Sequence, residues 1–149
     1  MNMRETPHTE NIGLIVTSLN EGDVTHLTPQ YLLTQLAEHG YVVLRGFQNS
    51  IDHFSRLVRQ TSIRISLDPA RSFDGDTAQK VDAGYDAVGL HCENGNSPFW
   101  PDICWFYCQK APRQGSQTTV CDGKEVYQHL SSTAKDSFSK QDIIYSRRV

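Results

Sequence analysis

The first clear pattern along the chain is an apolar stripe with helical spacing. Its members are Leu32, Leu33, Leu36 and Ala37. Thr28 can accept a hydrogen bond from a free N–H group at the start of such a helix, and Pro29 suits its first turn. Gly40 predicts the helix end, because glycine tolerates the left-handed backbone that often closes a helix. The pattern therefore predicts an amphipathic helix between Thr28 and Gly40.

A buried strand and a second helix follow. The run YVVLRGF, residues 41–47, is mostly apolar and typical of a buried strand. Residues 50–60, SIDHFSRLVRQ, predict a helix capped by Ser50. Three side chains of this helix are predicted to face inward: Phe54, Leu57 and Val58. Residues 66–84 are polar and lack periodicity, which is typical of a long functional loop.

Strand signals dominate the second half of the chain. Strands are predicted at YDAVGLHCE, DICWFYCQ, SQTTVCD and DIIYSRRV, and GKEVYQHLS predicts a short helix that begins near Asp122. The sequence contains no internal repeat and no domain linker. It therefore predicts a single domain over residues 1–149 with an α+β fold that is mainly β, its first helices lying towards the N-terminus.

Composition and charge narrow the class of protein. The chain is 38% hydrophobic and 21% charged, with a formal charge of −3, so it carries no electrostatic footprint for nucleic acid. Its longest apolar runs, GLIV and YVVL, are far shorter than the roughly 20 residues of a membrane span. The first residues, MNMRETPHTEN, lack the apolar core of a signal peptide. We therefore expect a cytoplasmic protein that binds neither nucleic acid nor a membrane.

The cysteines are expected to be reduced. They are Cys92, Cys104, Cys108 and Cys121. Their even number permits disulfides, but a protein without an export signal keeps thiols. Cys104 and Cys108 lack the C-x-x-C spacing of a zinc site. On a strand they share one face with Phe106, and we interpret them as small core residues.

The candidate chemistry lies in the tripeptide His91-Cys92-Glu93. Alternation along a strand places His91 and Glu93 on one face and Cys92 on the other. Imidazole and carboxylate together suit Fe(II), and two histidines with one carboxylate leave coordination positions open. The alternative is a polar strand end with a hydrogen-bonded histidine, and the tripeptide alone does not separate the two. The following run NGNSPF, residues 94–99, would end the strand and let a loop turn over the site, or it only forms a turn.

Three co-linear blocks give the tripeptide a wider context. They are LLTQLAEHGYVVLRGF, AGYDAVGLHCENGNSPFWPDICWFYCQKAP and GSQTTVCDG. In order and spacing they resemble the taurine dioxygenase-like (TauD/TfdA) superfamily of Fe(II)- and 2-oxoglutarate-dependent dioxygenases. The likeness is closer to its clavaminate synthase-like branch, which uses His-x-Glu. It runs from about residue 27 to the C-terminus.

The resemblance implies roles for several residues. His91 and Glu93 would be two iron ligands, and the hydroxyl of Thr118 would hydrogen-bond the distal carboxylate of the cosubstrate 2-oxoglutarate. Without the resemblance, Thr118 could equally reflect β-propensity. Arg45 matches a family arginine that we interpret as structural. The implied reaction uses O₂ to hydroxylate or desaturate a small molecule, such as an amino acid derivative.

The resemblance also implies groups that this sequence does not match. Family members are much longer, and a distal histidine and an arginine for 2-oxoglutarate lie on their later strands. His129, Arg147 and Arg148 are poor substitutes for these groups. The expected fold is a partial double-stranded β-helix, or jelly roll, whose second half is missing and could come from a second polypeptide. The alternative is an inactive fragment, or a non-catalytic module that binds a partner through an exposed sheet edge.

Overall fold

A computed structural model describes residues 2–67, 73–81, 88–95, 100–115, 117–144 and 146. The chain forms two compact units. The first unit consists of Met1–Gly84 and Trp105–Ala111, and the second unit consists of Tyr85–Cys104 and Pro112–Val149. In the described parts of both units, no helix is long and apolar enough to cross a membrane.

A three-stranded sheet organises the first unit. Strand β1 (Met3–Pro7) pairs antiparallel with β2 (Leu14–Ser18), and β2 pairs parallel with β3 (Val42–Arg45). Parallel strands need a crossover connection, and helix α1 (Pro29–His39) provides it. The central strand β2 buries alternate residues, as expected for one face of a strand: Leu14, Val16 and Ser18.

Helix α1 begins and ends where the sequence predicts. Thr28 Oγ1 accepts a hydrogen bond from the Tyr31 N–H group at 3.2 Å. At the other end Gly40 adopts a φ of 78°, and its N–H group donates to the Leu36 carbonyl at 2.9 Å. Of the predicted apolar stripe only Leu32 is buried, so the stripe is narrower than its composition suggested.

The predictions for β3 and for the second helix are also confirmed. Helix α2 (Ile51–Thr61) is capped by Ser50, whose Oγ accepts from the His53 N–H group at 3.2 Å. Leu57 and Val58 are buried, and Phe54 is half-buried.

The core of the protein lies in the first unit. One cluster of buried side chains joins β2, the turn before α1, and both helices: Leu14, Val16, Val24, Leu27, Leu32, Phe47 and Leu57. Trp105 packs against this cluster from later in the chain. In the described part of the second unit no residue is buried, so the apolar contacts that stabilise the fold concentrate in the first unit.

The polar loop predicted over residues 66–84 contains a small hairpin. Strands β4 (Phe73–Asp74) and β5 (Ala78–Gln79) pair antiparallel. The Arg59 guanidinium at the end of α2 donates to the Asp76 carboxylate in the hairpin turn, and this hydrogen bond lowers the pKa of Asp76. Two-residue strands are too short to show a period in the sequence.

The second unit contains two helices. Helix α3 (Gly123–His129) begins at Asp122, whose Oδ1 accepts from the Lys124 N–H group at 2.8 Å, so the helix predicted there is confirmed. Helix α4 (Ser132–Lys140) was not predicted. Its sequence, STAKDSFSK, is mostly polar and shows no apolar stripe, which is the signal that marked the other helices.

The mainly β prediction is wrong for the described residues. Residues 88–93, 102–109 and 117–122, on which three of the late strands were predicted, form no strand, and neither do residues 142–144 and 146. The remaining positions of YDAVGLHCE, SQTTVCD and DIIYSRRV lie outside the described residues: 85–87, 116, 145 and 147–149. The fold is mixed α/β, with a three-stranded sheet, a two-stranded hairpin and four α-helices in the described part. No closed barrel forms there, and the jelly roll is not confirmed.

The interpretation of Cys104 and Cys108 as core residues is also wrong. Both are exposed, and Phe106 between them is 59% exposed. The alternation was predicted correctly but the inward face was not, because Trp105 and Tyr107 occupy the half-buried positions. Large aromatic side chains remove more apolar surface from water than thiols do. All four cysteines are free and exposed.

Neighbouring leucines of α1 provide a test of the core. Leu32 is 2% exposed and Leu33 is 42% exposed. We expect Leu32→Ala to lower the free energy of unfolding by about 2–5 kcal/mol, because it leaves a cavity. The matched Leu33→Ala is expected to cost roughly 1 kcal/mol or less. Urea denaturation followed by circular dichroism measures both, and equal losses would contradict this core.

Candidate functional site

The residues predicted to bind metal lie in an irregular segment of the second unit that ends in a turn. Residues 88–92 have no regular structure, and residues 93–95 form the turn. The Gly95 N–H group donates to the Cys92 carbonyl at 3.1 Å, and Asn94 adopts a φ of 53°. Asparagine tolerates this left-handed conformation better than most residues. Asn94 and Gly95 therefore form a turn, and the rest of the run NGNSPF, residues 96–99, lies outside the described residues.

A hydrogen bond sets the orientation and the tautomer of His91. Its Nδ1 atom lies 2.8 Å from the Gly89 carbonyl oxygen. A carbonyl oxygen only accepts hydrogen bonds, so Nδ1 carries the proton in this contact. In a neutral imidazole the lone pair then belongs to Nε2. Backbone carbonyls commonly orient metal-binding histidines in this way.

The free nitrogen of His91 faces the Glu93 carboxylate. The distance from Nε2 to Oε1 is 3.8 Å, and the two side chains are 57% and 44% exposed. Two atoms with lone pairs are brought together in this way, and either a proton on His91 or a cation held by both makes the contact favourable. A simple ion pair at such exposure contributes little, because water screens it.

The spacing fits two ligands of one metal ion. Imidazole nitrogen and carboxylate oxygen bind borderline divalent metals at about 2.0–2.2 Å, so two such ligands at right angles are about 3 Å apart. Closing the 3.8 Å gap to that value requires only a small rotation of exposed side chains. Among the described residues, however, no group of three His, Cys, Asp or Glu side chains comes together. The turn therefore fits two positions of a metal site.

Cys104 was not considered for the site, but it is electrostatically coupled to Glu93. Partial desolvation raises the pKa of the Cys104 thiol, and the Glu93 carboxylate raises it further. Sequence spacing gave no signal for this interaction, because the two residues are eleven positions apart in the sequence.

Thr118 lies in the second unit, as do His91 and Glu93, but no strand holds it. The residue is exposed in the irregular segment before α3. Within the described part of the chain its hydroxyl makes no hydrogen bond. The structure does not place Thr118 in a hydrogen bond with either His91 or Glu93.

The residues weighed as substitutes do not join the site. His129 Nδ1 lies 2.8 Å from the Glu125 carbonyl and 3.9 Å from its carboxylate, and the side chain is 80% exposed on α3. In His129, Nδ1 makes both contacts. In His91, Nδ1 contacts the carbonyl and Nε2 faces the carboxylate. His129 therefore lies on a solvated helix face. Arg147 and Arg148 lie outside the described residues, and Arg45 is exposed at the end of β3.

Comparison with known proteins identifies the family. The model of the family described as Taurine catabolism dioxygenase TauD, TfdA family matches residues 7–149. The chain therefore belongs to the TauD/TfdA family. This match begins before the first sequence block that carried the resemblance, and it includes β2. A search of curated proteins and a search of solved structures gave no match. Members of the family are dioxygenases that generally use Fe(II) and 2-oxoglutarate.

The tautomer of His91 can be tested directly. In the neutral ring we expect the proton on Nδ1 and the lone pair on Nε2, because the Gly89 carbonyl can only accept. Long-range ¹H–¹⁵N NMR spectra of the imidazole distinguish the two nitrogens. Urea-unfolded protein serves as the control, since the hydrogen bond is lost there. A folded His91 with its proton on Nε2 would contradict the orientation described above.

Proposed function

We propose that this chain carries the iron-binding turn of an Fe(II)- and 2-oxoglutarate-dependent oxygenase that oxidises a small molecule. The observation that supports this most is the approach of His91 Nε2 to Glu93 Oε1, at 3.8 Å, in a chain of the TauD/TfdA family. A nitrogen and a carboxylate oxygen are two of the three donors in the facial site of such oxygenases. His91 and Glu93 would hold the iron.

The chain's own residues orient and neutralise the site. The Gly89 carbonyl fixes the His91 ring, and the Glu93 carboxylate compensates part of the metal charge. Thr118 would donate its hydroxyl proton to the distal carboxylate of 2-oxoglutarate. Fe(II) and 2-oxoglutarate, when bound, supply the O₂-dependent oxidation, and the protein supplies binding and positioning.

The substrate class and the reaction type are narrower proposals. Glu93, in place of the aspartate of most family members, supports the clavaminate synthase-like branch, and with it hydroxylation or desaturation of an amino acid derivative. The second imidazole and the arginine for 2-oxoglutarate are proposed to come from a second polypeptide. A cytoplasmic location, without nucleic acid or membrane as partner, belongs to the same proposal.

A second candidate function is non-catalytic. The described residues bring no third ligand to His91 and Glu93, and neither α3 nor α4 buries a residue. An inactive fragment, or an interaction module derived from the family, has these properties. Iron binding and cosubstrate binding by the purified chain distinguish this candidate from the oxygenase.

Metal titration tests the two ligands. We expect His91→Ala and Glu93→Ala each to weaken Fe(II) binding by more than the roughly 10–100-fold that loss of an outer-shell partner costs. His129→Ala is the matched control, because His129 also contacts a carbonyl and a carboxylate but turns no free nitrogen to the latter. Anaerobic calorimetric titration measures all three variants. Equal weakening by His129→Ala, or no weakening by the other two, would remove the metal site.

Adjacent threonines test the cosubstrate. With Fe(II) present, Thr118→Val is expected to weaken 2-oxoglutarate binding roughly tenfold, since it deletes a hydrogen bond to a charged group. The matched Thr119→Val changes the same atoms one position away and is expected to have little effect. Calorimetry gives the affinities, and succinate formation shows turnover. If the iron-loaded chain binds no 2-oxoglutarate, the non-catalytic candidate is favoured.

A further inference from the structure

Residues 102–110 are called the aromatic segment. Within it, residues 102–108 alternate between exposed and half-buried positions, and none of them belongs to a sheet in the described part of the chain. Ile103, Trp105 and Tyr107 are half-buried. The intervening residues are exposed: Asp102, Cys104, Phe106 and Cys108. A period of two is the pattern of a strand with one covered face and one free face.

The inward face is held by contacts of two aromatic side chains. The Tyr107 ring stacks on Phe54 with centroids 5.3 Å apart and planes 23° apart. The Tyr107 hydroxyl donates to Asn49 Oδ1 at 3.2 Å, and Trp105 packs against the core cluster. These contacts fix which side chains of the aromatic segment point outward.

The backbone of the aromatic segment is unpaired. In the described part of the chain no backbone N–H or carbonyl group of residues 103–108 makes a hydrogen bond. Unpaired backbone groups on a strand-like segment favour pairing with another strand. Prolines at 101 and 112 flank the segment and cannot donate to a ladder, so they limit the length over which pairing can extend.

The sequence of the segment, DICWFYCQK, is nearly symmetric about Phe106. Antiparallel pairing with an identical strand, centred there, places Cys104 opposite Cys108, and Phe106 opposite itself. It also places Asp102 opposite Lys110, so opposite charges meet at both ends. All of these residues lie on the exposed face.

We propose that the aromatic segment is a dimerisation strand, which pairs antiparallel with the same segment of a second copy about a two-fold axis at Phe106. A two-fold contact requires a self-complementary surface, and the segment provides one in charge and in side-chain size. If the pairing register shifted by one residue, the half-buried face, which Trp105 and Tyr107 hold inward, would have to turn outward. If the register shifted by two residues, Asp102 would no longer lie opposite Lys110. The paired surface is small, so the dimer dissociates on dilution.

Charge reversal tests the register. Asp102→Lys and Lys110→Asp each place like charges opposite one another at both ends of the paired strands. Each is expected to raise the dimer dissociation constant roughly tenfold. The double variant, Asp102→Lys with Lys110→Asp, restores opposite charges and is expected to regain the original constant. Sedimentation velocity over a range of concentrations measures all four proteins.

Disulfide trapping gives an independent readout of the same register. Two variants are made in a background of Cys92→Ser and Cys121→Ser. Cys104→Ser leaves Cys108 as the single thiol, Cys108→Ser leaves Cys104, and neither variant alone should give a linked dimer. Their remaining thiols lie about four residues apart along the paired strands, which is too far for a disulfide. Mixed together and oxidised with diamide, which takes the two electrons and two protons of the thiols, they should form a linked heterodimer.

Several outcomes would overturn the dimerisation strand. One is a monomer at every concentration, as expected if another partner or another part of a longer chain covers the strand. The others are a linked homodimer of either single-cysteine variant and a double charge reversal that does not restore association. A series of larger oligomers would also overturn it, because a two-fold contact closes at two copies.

Discussion

The parallel pairing of β2 with β3 is the constraint on which the first unit depends. Parallel neighbours cannot be joined by a tight turn, so the chain must cross over between them, and α1 is that crossover. Leu32 of α1 and Val16 of β2 belong to one buried cluster. Helix α2 contributes Leu57 to this cluster, and Trp105 packs against it.

The second unit differs because the described part has no such core. Its elements are stabilised by local hydrogen bonds at helix caps and turns, such as Asp122 with Lys124 and Cys92 with Gly95. Local bonds of this kind contribute less than the burial of several large side chains. The candidate metal ligands therefore lie in the less strongly stabilised unit, and a bound metal would itself contribute to ordering their turn.

Local signals in the sequence predicted the elements that depend on local physics. The caps at Thr28, Ser50 and Asp122 located three helices, because a cap is encoded within a few residues. Strands depend on a partner elsewhere in the chain, so the pattern at residues 102–109 predicted a strand although none forms there. The polar helix α4 and the polar strand β1 carry no apolar period and were missed.

For the candidate site, the sequence predicted which side chains meet but not how. His91 and Glu93 were expected on one face of a strand, and the structure brings them together at an irregular turn instead. The acceptor of the hydrogen bond that orients His91 is a backbone carbonyl. Every residue has such a carbonyl, so the residue types in the sequence could not predict this bond. The period of two showed that Trp105 and Cys104 lie on opposite faces of the segment. It does not show which of the two faces is covered.

The turn at Asn94 and Gly95 has a chemical consequence for the lifetime of the protein. In an exposed asparagine followed by glycine, the next backbone nitrogen attacks the side-chain carbonyl carbon and displaces ammonia, and water then opens the resulting succinimide to aspartate or isoaspartate. At Asn94 this ageing reaction, which intact-mass measurement of stored protein would detect, leaves a new carboxylate beside Glu93. The negative charge around the His91 imidazole would then increase with the age of the molecule.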